Sequence, residues 1–473
     1  MEVDQLDIDR PHRLTVRDAT QALRARQISA VELITDVLSR IQETEPAIHA
    51  YALVTADRAL ESARKADEML RRGSDLPPLI GIPVGIKDVI ETAAIPTECG
   101  SRVRTGFVPS VSAEVVVRLE AAGAIVIGKT VTHEFAFGVL SPPTRCPWDL
   151  TCIPGGSSGG SGAAVAADSC LFAVGTDTGC SVRNPASING VVGLKPTFGR
   201  VSRFGVIPVS WSLDHVGPLT KTAGDAGLVL EAMASYDPRD ASSLTEHAPR
   251  LSTEAGLRRK APRVGIPTNY FFDGVAEDVK AAVRRAIAVL QSQGADVIEV
   301  TLTDMELALP AVAILSMVES STFHSAQLRR TPTLYEPDSR ARLEAGELIT
   351  GTAYVDAQRA RTRVKESLRK VFETNNLDVL ATPTCPLTAL PIGQPNIVCG
   401  DGSVVPIVNE YARLPCPFNL SGQPAISIPC GFDSQQHPVG LQIIGRPFDE
   451  AGIISLAQLY ESATDWHTMK APL

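Results

Sequence analysis

From Leu79 to the C-terminus, short apolar runs of strand length alternate with longer helical patterns, and this restricts the chain to few architectures. A helix is expected over 114–122, ending at Gly123, and a buried strand over 124–127. Further strands are expected at 171–174, 263–266 and 297–300, with a helix over 277–293 before the last of them. Near the C-terminus, 378–381, 425–428 and 439–444 are apolar runs of strand length, and a helix follows from Glu450 to about Ser462. Such alternation implies an α/β protein, a central mixed sheet with helices on both faces.

The N-terminal part reads differently. Thr15-Val-Arg-Asp18 and Ser29-Ala-Val-Glu32 each pair a hydroxyl with a carboxylate three residues on, the signature of a helix start. After Ser29, residues Val31, Ile34, Leu38 and Ile41 fall on one helical face. A third helix is expected from Ala56 to Arg72, ending at Gly73. Residues 1–75 are therefore read as a helical segment packed on a catalytic core of 76–473, together one large α/β domain. The Pro/Gly-rich stretch 383–403 is the best candidate for a long functional loop, with a plain connection as the alternative.

Composition excludes several functions. A net charge of −9 and the absence of a Lys/Arg run leave no electrostatic footprint for nucleic acid. The first seven residues are acidic and lack the basic-then-apolar pattern of a secretory signal. No segment holds about 18 uninterrupted apolar residues, so no membrane span is expected. The nine cysteines, Cys99, Cys146, Cys152, Cys170, Cys180, Cys385, Cys399, Cys416 and Cys430, form no C-x-x-C pair. Neither a disulfide framework nor a zinc ribbon follows, and no His/Glu/Cys cluster has metal-ligand spacing. A reducing, cytoplasmic compartment, no cofactor and no metal are the expectations.

The most unusual segment is Pro154-Gly-Gly-Ser-Ser-Gly-Gly-Ser-Gly162. A flexible linker should separate independent units, yet apolar core follows at once in 163–167 and 171–174. A phosphate-cradling loop would need a following Gly-Lys-Ser/Thr, which is missing. A catalytic turn is the third reading. Gly155-Gly-Ser157-Ser-Gly159 fits G-x-S-x-G, as does the frame centred on Ser158, though so Gly/Ser-rich a segment matches almost automatically. That elbow also needs a downstream His, and His215, His247, His324, His437 and His467 all lack a recognisable context.

Two further clusters change the weighing. Gly175-Thr-Asp-Thr-Gly-Cys-Ser181-Val-Arg183 follows the strand at 171–174, and Gly81-Ile-Pro-Val-Gly-Ile-Lys87-Asp88 lies upstream. With the Gly/Ser segment they closely resemble the amidase signature family, in which two catalytic serines stand 24 positions apart, as Ser157 and Ser181 do here. The likeness continues through Gly199-Arg-Val-Ser202, Ser212-Leu-Asp-His-Val-Gly-Pro-Leu219 and Pro438-Val-Gly-Leu-Gln-Ile-Ile-Gly445, covering about residues 14–467.

The resemblance implies a serine amidohydrolase fold and mechanism. Ser181 would attack the carbonyl, Ser157, on a cis peptide, would relay the proton, and Lys87 would be the final base. Lysine ordinarily titrates near 10.4, so burial must lower it, and Ile82, Val84, Ile86 and Val89 frame Lys87 accordingly. The oxyanion would be held by backbone N–H groups of Thr178, Gly179, Cys180 and Ser181. Asp177, Arg183 and Ser158 would buttress the loop. Position 180 departs from the family's usual glycine, which puts a left-handed backbone there in doubt and suggests a narrower acyl pocket. Cys180 as a nucleophile lacks a histidine partner.

Other polar residues take plainer readings. Ser62-Ala-Arg-Lys65 matches the S-x-x-K of penicillin-recognising enzymes but belongs on a solvated helix face. His133 is read as a satisfied structural histidine in preference to an entrance residue. The expected substrate is a small amide or related carbamate or urea, turned over by a free-standing enzyme; a homodimer is compatible with this. The alternative is the glutaminase subunit of a transfer-RNA-dependent amidotransferase, which Asn419-Leu-Ser-Gly and Thr464-Asp-Trp-His467 also resemble. Under that alternative Arg342 would hold the glutamine carboxylate, but Ala412 stands where an aspartate for the glutamine amine is expected.

Overall fold

The computed structural model describes residues 7–73, 75–245, 251, 261–398 and 404–473. The acidic N-terminus up to residue 6, His247, Cys399 and the last part of the expected functional loop lie outside the described residues.

The N-terminal helices start where hydroxyls can cap them. Helix α1 (Val16–Arg24) is capped by Thr15, whose hydroxyl accepts from the Asp18 N–H. Helix α2 (Ala30–Ile48) begins with a reciprocal box, Ser29 Oγ accepting from Glu32 N and Glu32 returning to Ser29 N. Helix α3 (Ala56–Arg72) ends at Gly73. Lys65 on α3 is exposed and ion-paired to Glu61, so the S-x-x-K match is a solvated face. Helix α4 (Glu114–Ala121) then leads into the sheet where the sequence places it.

A single eleven-stranded sheet organises the chain, and its first strand lies between α2 and α3, inside the segment read from sequence as helical. Its members are β1 (Tyr51–Val54), β2 (Pro83–Lys87), β3 (Ile125–Thr130), β4 (Phe172–Asp177), β5 (Val192–Lys195) and β6 (His215–Thr220). They continue with β7 (Arg263–Pro267), β8 (Asp296–Val300), β9 (Val379–Pro383), β12 (Ala425–Phe432) and β13 (Pro438–Gly445). The order across the sheet is β1-β3-β2-β4-β6-β5-β12-β13-β9-β7-β8. Parallel pairs β3/β2/β4 at one end and β9/β7/β8 at the other are joined by an antiparallel centre. Strands β2, β3, β4 and β13 are buried along their whole length, which needs helices on both faces. The expected mixed sheet flanked by helices is the observed fold. The short strands β10 (Asn396–Val398) and β11 (Val404–Pro406) form a separate two-stranded ribbon at the end of the Pro/Gly-rich stretch.

Two differences from the sequence reading have physical causes. Strands β3 and β4 run past their apolar cores, to Thr130 and Asp177 in place of 127 and 174. Their polar ends are buried on other partners, Lys129 on Ile90 O, Thr97 and Asp88, Thr176 on Lys87 and Asp177 on Arg183, so apolar content understates strand length. The region 308–374 is almost wholly helical: Ala308–Arg330, Pro337–Leu348 and Gly351–Thr374. The first of these, with its preceding turn from Met305, is apolar enough by composition to cross a membrane, but half of that apolar window is buried inside the protein. It also carries Glu319, which accepts from Ser210, Ser212 and Tyr354, so it is a core helix.

Candidate active site

The site forms where the ends of β2 and β4 meet two loop-to-helix turns. Lys87 is the last residue of β2 and is fully buried. Its Nζ lies 2.8 Å from Ser157 Oγ and 2.8 Å from Thr176 Oγ1 on β4. Burial pushes this ammonium down to about 7, against the opposing pull of Asp177 and Asp214. Near neutrality the amine therefore exists in both forms, and once neutral its lone pair can accept from Ser157 over the same contact.

Ser157 sits just before helix α5 (Gly159–Ala166) and follows a cis Gly156–Ser157 peptide. The turn is held on all sides. Asn184 Oδ1 accepts from Gly156 N at 2.9 Å, and Ser157 O accepts from Ser141 Oγ at 3.0 Å and His133 N at 3.2 Å. A Cβ on Gly156 would stand 2.7 Å from Ser141 Oγ and 2.8 Å from the Val139 carbonyl carbon, so only glycine lets the turn approach this closely. Gly155, at φ +71°, supplies the left-handed step before it. Ser158 bridges to β4: its Oγ donates to Thr176 O and accepts from Thr176 N. Its N–H donates to Ser181 O at 3.3 Å, which brings the second turn alongside the first.

That second turn joins β4 to helix α6 (Arg183–Asn189). The backbone N–H groups of Thr178, Gly179, Cys180 and Ser181 donate to no group among the described residues. Neither Gly179 nor Cys180 adopts positive φ, so the side chain at 180 meets no backbone strain, and the expected conflict does not arise. Cys180 is buried in a small apolar cluster with Ile188, Cys385 and Tyr411, and burial pushes its thiol well above the usual range. Ser181 remains 7% exposed while Ser157 and Lys87 are at 0%, so of the three only Ser181 can meet a ligand. Its hydroxyl has no partner among the described residues.

Beneath the turn, Asp177 and Arg183 are both fully buried and paired at 2.9 and 3.0 Å. Burial alone would raise the Asp177 carboxyl, but Arg183 and the Asn419 amide hold it well below the usual range. Arg183 also donates to Pro415 O, Gln442 Oε1 and Asn419 Oδ1, tying the turn to β13 and to the short helix Pro417–Ser421. Thr178 Oγ1 donates to Asp214 at 2.5 Å; burial pushes this carboxyl up to about 6.

Thr176, Asn184, Ser141 and Asp214 were not singled out from sequence as site residues. Thr176, Asn184 and Asp214 lie in or beside a motif and Ser141 in none, and only the fold reveals which hydroxyl or amide each serves. His133 departs from expectation: its Nδ1 is buried without a hydrogen-bond partner among the described residues. Burial, and then Arg342, pushes the ring down to about 3. It lines a cavity of about 610 Å³ together with Arg342, Glu134, Leu140 and Asn396. Arg342 there pairs with Asp338 at 2.9 Å and donates to Phe137 O at 2.8 Å. Ala412 is buried beside the second turn, 4.0 Å from where a Gly179 Cβ would lie.

A family model for amidases matches residues 32–454. This chain belongs to the amidase signature family. A glutamyl-tRNA(Gln) amidotransferase subunit of Chloroflexus aggregans is 42% identical, over 98% of this chain and 99% of that protein. An amidase of Pseudomonas putida is also 42% identical, over 96% of this chain and 97% of its own length. Among solved structures, a chain described with a vestigial protein complex that reveals the evolutionary origins of an s-triazine catabolic enzyme superposes with a TM-score of 0.89 at 31% identity, covering 95% of this chain and 98% of that one. As a family member the chain is an amidohydrolase acting on carbon–nitrogen bonds.

Proposed function

We propose that the chain cleaves a small, neutral amide or carbamate through an acyl-enzyme on Ser181. The observation that carries this reading is the fully buried Lys87–Ser157 contact of 2.8 Å beside a serine that alone remains reachable. Ser181 Oγ attacks the carbonyl carbon as its proton passes to Ser157, whose own proton passes to neutral Lys87. The developing oxyanion is met by the unengaged N–H groups of residues 178–181. The proton returns through Ser157 to the leaving nitrogen, the C–N bond breaks, and water then releases the acyl group by the same relay.

A second reading is the glutaminase subunit of an amidotransferase complex. Whole-chain similarity supports it more strongly, since most of the curated relatives at 38–42% identity are named as amidotransferase subunits. Arg342 on the cavity wall suits a substrate carboxylate under this reading. The residue by the oxyanion turn favours the first: Ala412 offers no carboxylate to an α-ammonium, and an unpaired ammonium in a desolvated pocket costs several kcal/mol, about 2 or more. The experiment is turnover by the isolated chain on glutamine beside a neutral aryl amide or carbamate. The neutral substrate is expected to react without a partner. Preference for glutamine by a wide margin, or silence until an amidotransferase partner is added, rejects the first reading in favour of the second.

A further inference from the structure

Outside the catalytic turns, three residues of three chemical types converge, two from one loop and the third from the far half of the chain. Asp149 and Cys152 lie on the loop leading into Gly155–Ser157, and His437 immediately precedes β13. Asp149 Oδ2 stands 3.2 Å from His437 Nε2 and 3.5 Å from Cys152 Sγ, and the three ligand atoms lie within 4.8 Å of one another. We propose that these three side chains bind one divalent cation of the zinc class.

The spacing suits such an ion. With metal–ligand bonds near 2.0 Å to oxygen and nitrogen and 2.3 Å to sulfur, a tetrahedral centre separates O and N by about 3.3 Å and O and S by about 3.5 Å. The donor set is also selective. Thiolate, imidazole and carboxylate together suit a borderline-soft ion, whereas calcium and magnesium take oxygen ligands.

The surroundings orient each donor. Asp149 Oδ1 accepts from Thr151 N at 2.8 Å and Thr151 Oγ1 at 2.7 Å, which turns Oδ2 toward the cluster. Those same bonds hold the carboxyl ionised, down to about 2. His437 Nδ1 has no hydrogen-bond partner among the described residues and lies 3.4 Å from the Asp433 carboxylate, which is placed to accept its N–H once Nε2 ligates the ion. Asp433 is itself anchored by the His437 N–H at 2.8 Å and Thr388 Oγ1 at 2.7 Å. Cys152 and His437 are buried while the Asp149 side chain is 35% exposed, so solvent can supply a fourth ligand and an entry path. Among the described residues none of the three is hydrogen-bonded to Lys87, Ser157 or Ser181, so the ion would tie the loop before the catalytic turn to the β12–β13 hairpin and take no part in hydrolysis. Without metal, burial and the Asp149 charge push the Cys152 thiol up to about 11. Ligation therefore breaks the S–H bond, forms the metal–thiolate bond and releases that proton to buffer.

The test uses the full-length protein stripped with a chelator. Cobalt(II) should give a thiolate-to-metal charge-transfer band in the wild type that is absent from Cys152→Ser. Zinc calorimetry in two buffers should show one ion bound and about one proton released near pH 7. His437→Gln should weaken zinc about tenfold or more, while turnover of a neutral amide stays unchanged on stripping. If His437→Gln fails to fold, the wild type and Cys152→Ser decide alone. No cobalt–thiolate band in the wild type, or a band that survives Cys152→Ser, overturns the proposal.

Discussion

Lys87 is where a single residue decides most. It is a lysine at the end of a fully buried strand, so the site holds an amine pushed down to about 7 with hydroxyls as its partners. Under the proposed mechanism the base is its neutral form, and kcat/KM should therefore rise with pH through about 7 and level off above. A profile that falls steadily between pH 6 and 9, with the protein still folded, contradicts this. Ser181→Ala should remove at least several kcal/mol of transition-state stabilisation, and Lys87→Ala nearly as much, since the relay acts as a unit. Mass spectrometry should find an acyl adduct at Ser181 in the wild type and none in the variant. Stability moves the other way. The unfolded lysine binds its proton up to about 10.5 but the folded one releases it near 7, so the folded state is penalised most below pH 7, and the penalty shrinks as pH rises between those values. Lys87→Met should accordingly unfold at higher denaturant than wild type at pH 6, with the gap closing toward pH 10.

At the scale of elements, buried polar groups tie together the strands and helices that carry the turns proposed to be catalytic. Arg183 at the start of α6 reaches Asp177 on β4, Gln442 on β13 and Asn419 on the helix Pro417–Ser421. Removing either member of the Asp177–Arg183 pair leaves an uncompensated buried charge, a loss of about 3–5 kcal/mol. Asp177→Ala should show that loss in equilibrium unfolding, together with reduced turnover, because the N–H groups proposed to hold the oxyanion lie on the same turn. An unchanged denaturation midpoint would show that the pair does not hold the turn. Gly156→Ala should be similarly disruptive, since its Cβ would meet both a side chain and backbone.

Across the whole molecule, strands from both ends of the chain build one sheet, β12 and β13 pairing beside β5 and β9. Hydrolysis that relies on serines and an amine should withstand EDTA. Under the proposed cation site the chelator should lower only the melting temperature. Loss of turnover on chelation, restored by zinc, would point to a metal hydrolase in place of the Ser181 mechanism.

The sequence by itself determined much of this protein, because its strongest signals are local. Caps at Thr15 and Ser29, the helix ending at Gly73, and the three motifs around Lys87, Ser157 and Ser181 all act over a few residues. The tertiary structure alone decided which distant groups meet. Strand ends past Ile127 and Val174 were illegible because polar residues satisfy one another only when the sheet is assembled. Thr176 as a partner of Lys87, Asn184 as the brace of Gly156, and the unpartnered ring nitrogen of His133 belong to the same class. So does the meeting of Asp149 and Cys152 with His437: ligand spacing along the chain carries no signal when a hairpin in the far half of the sequence supplies the third donor.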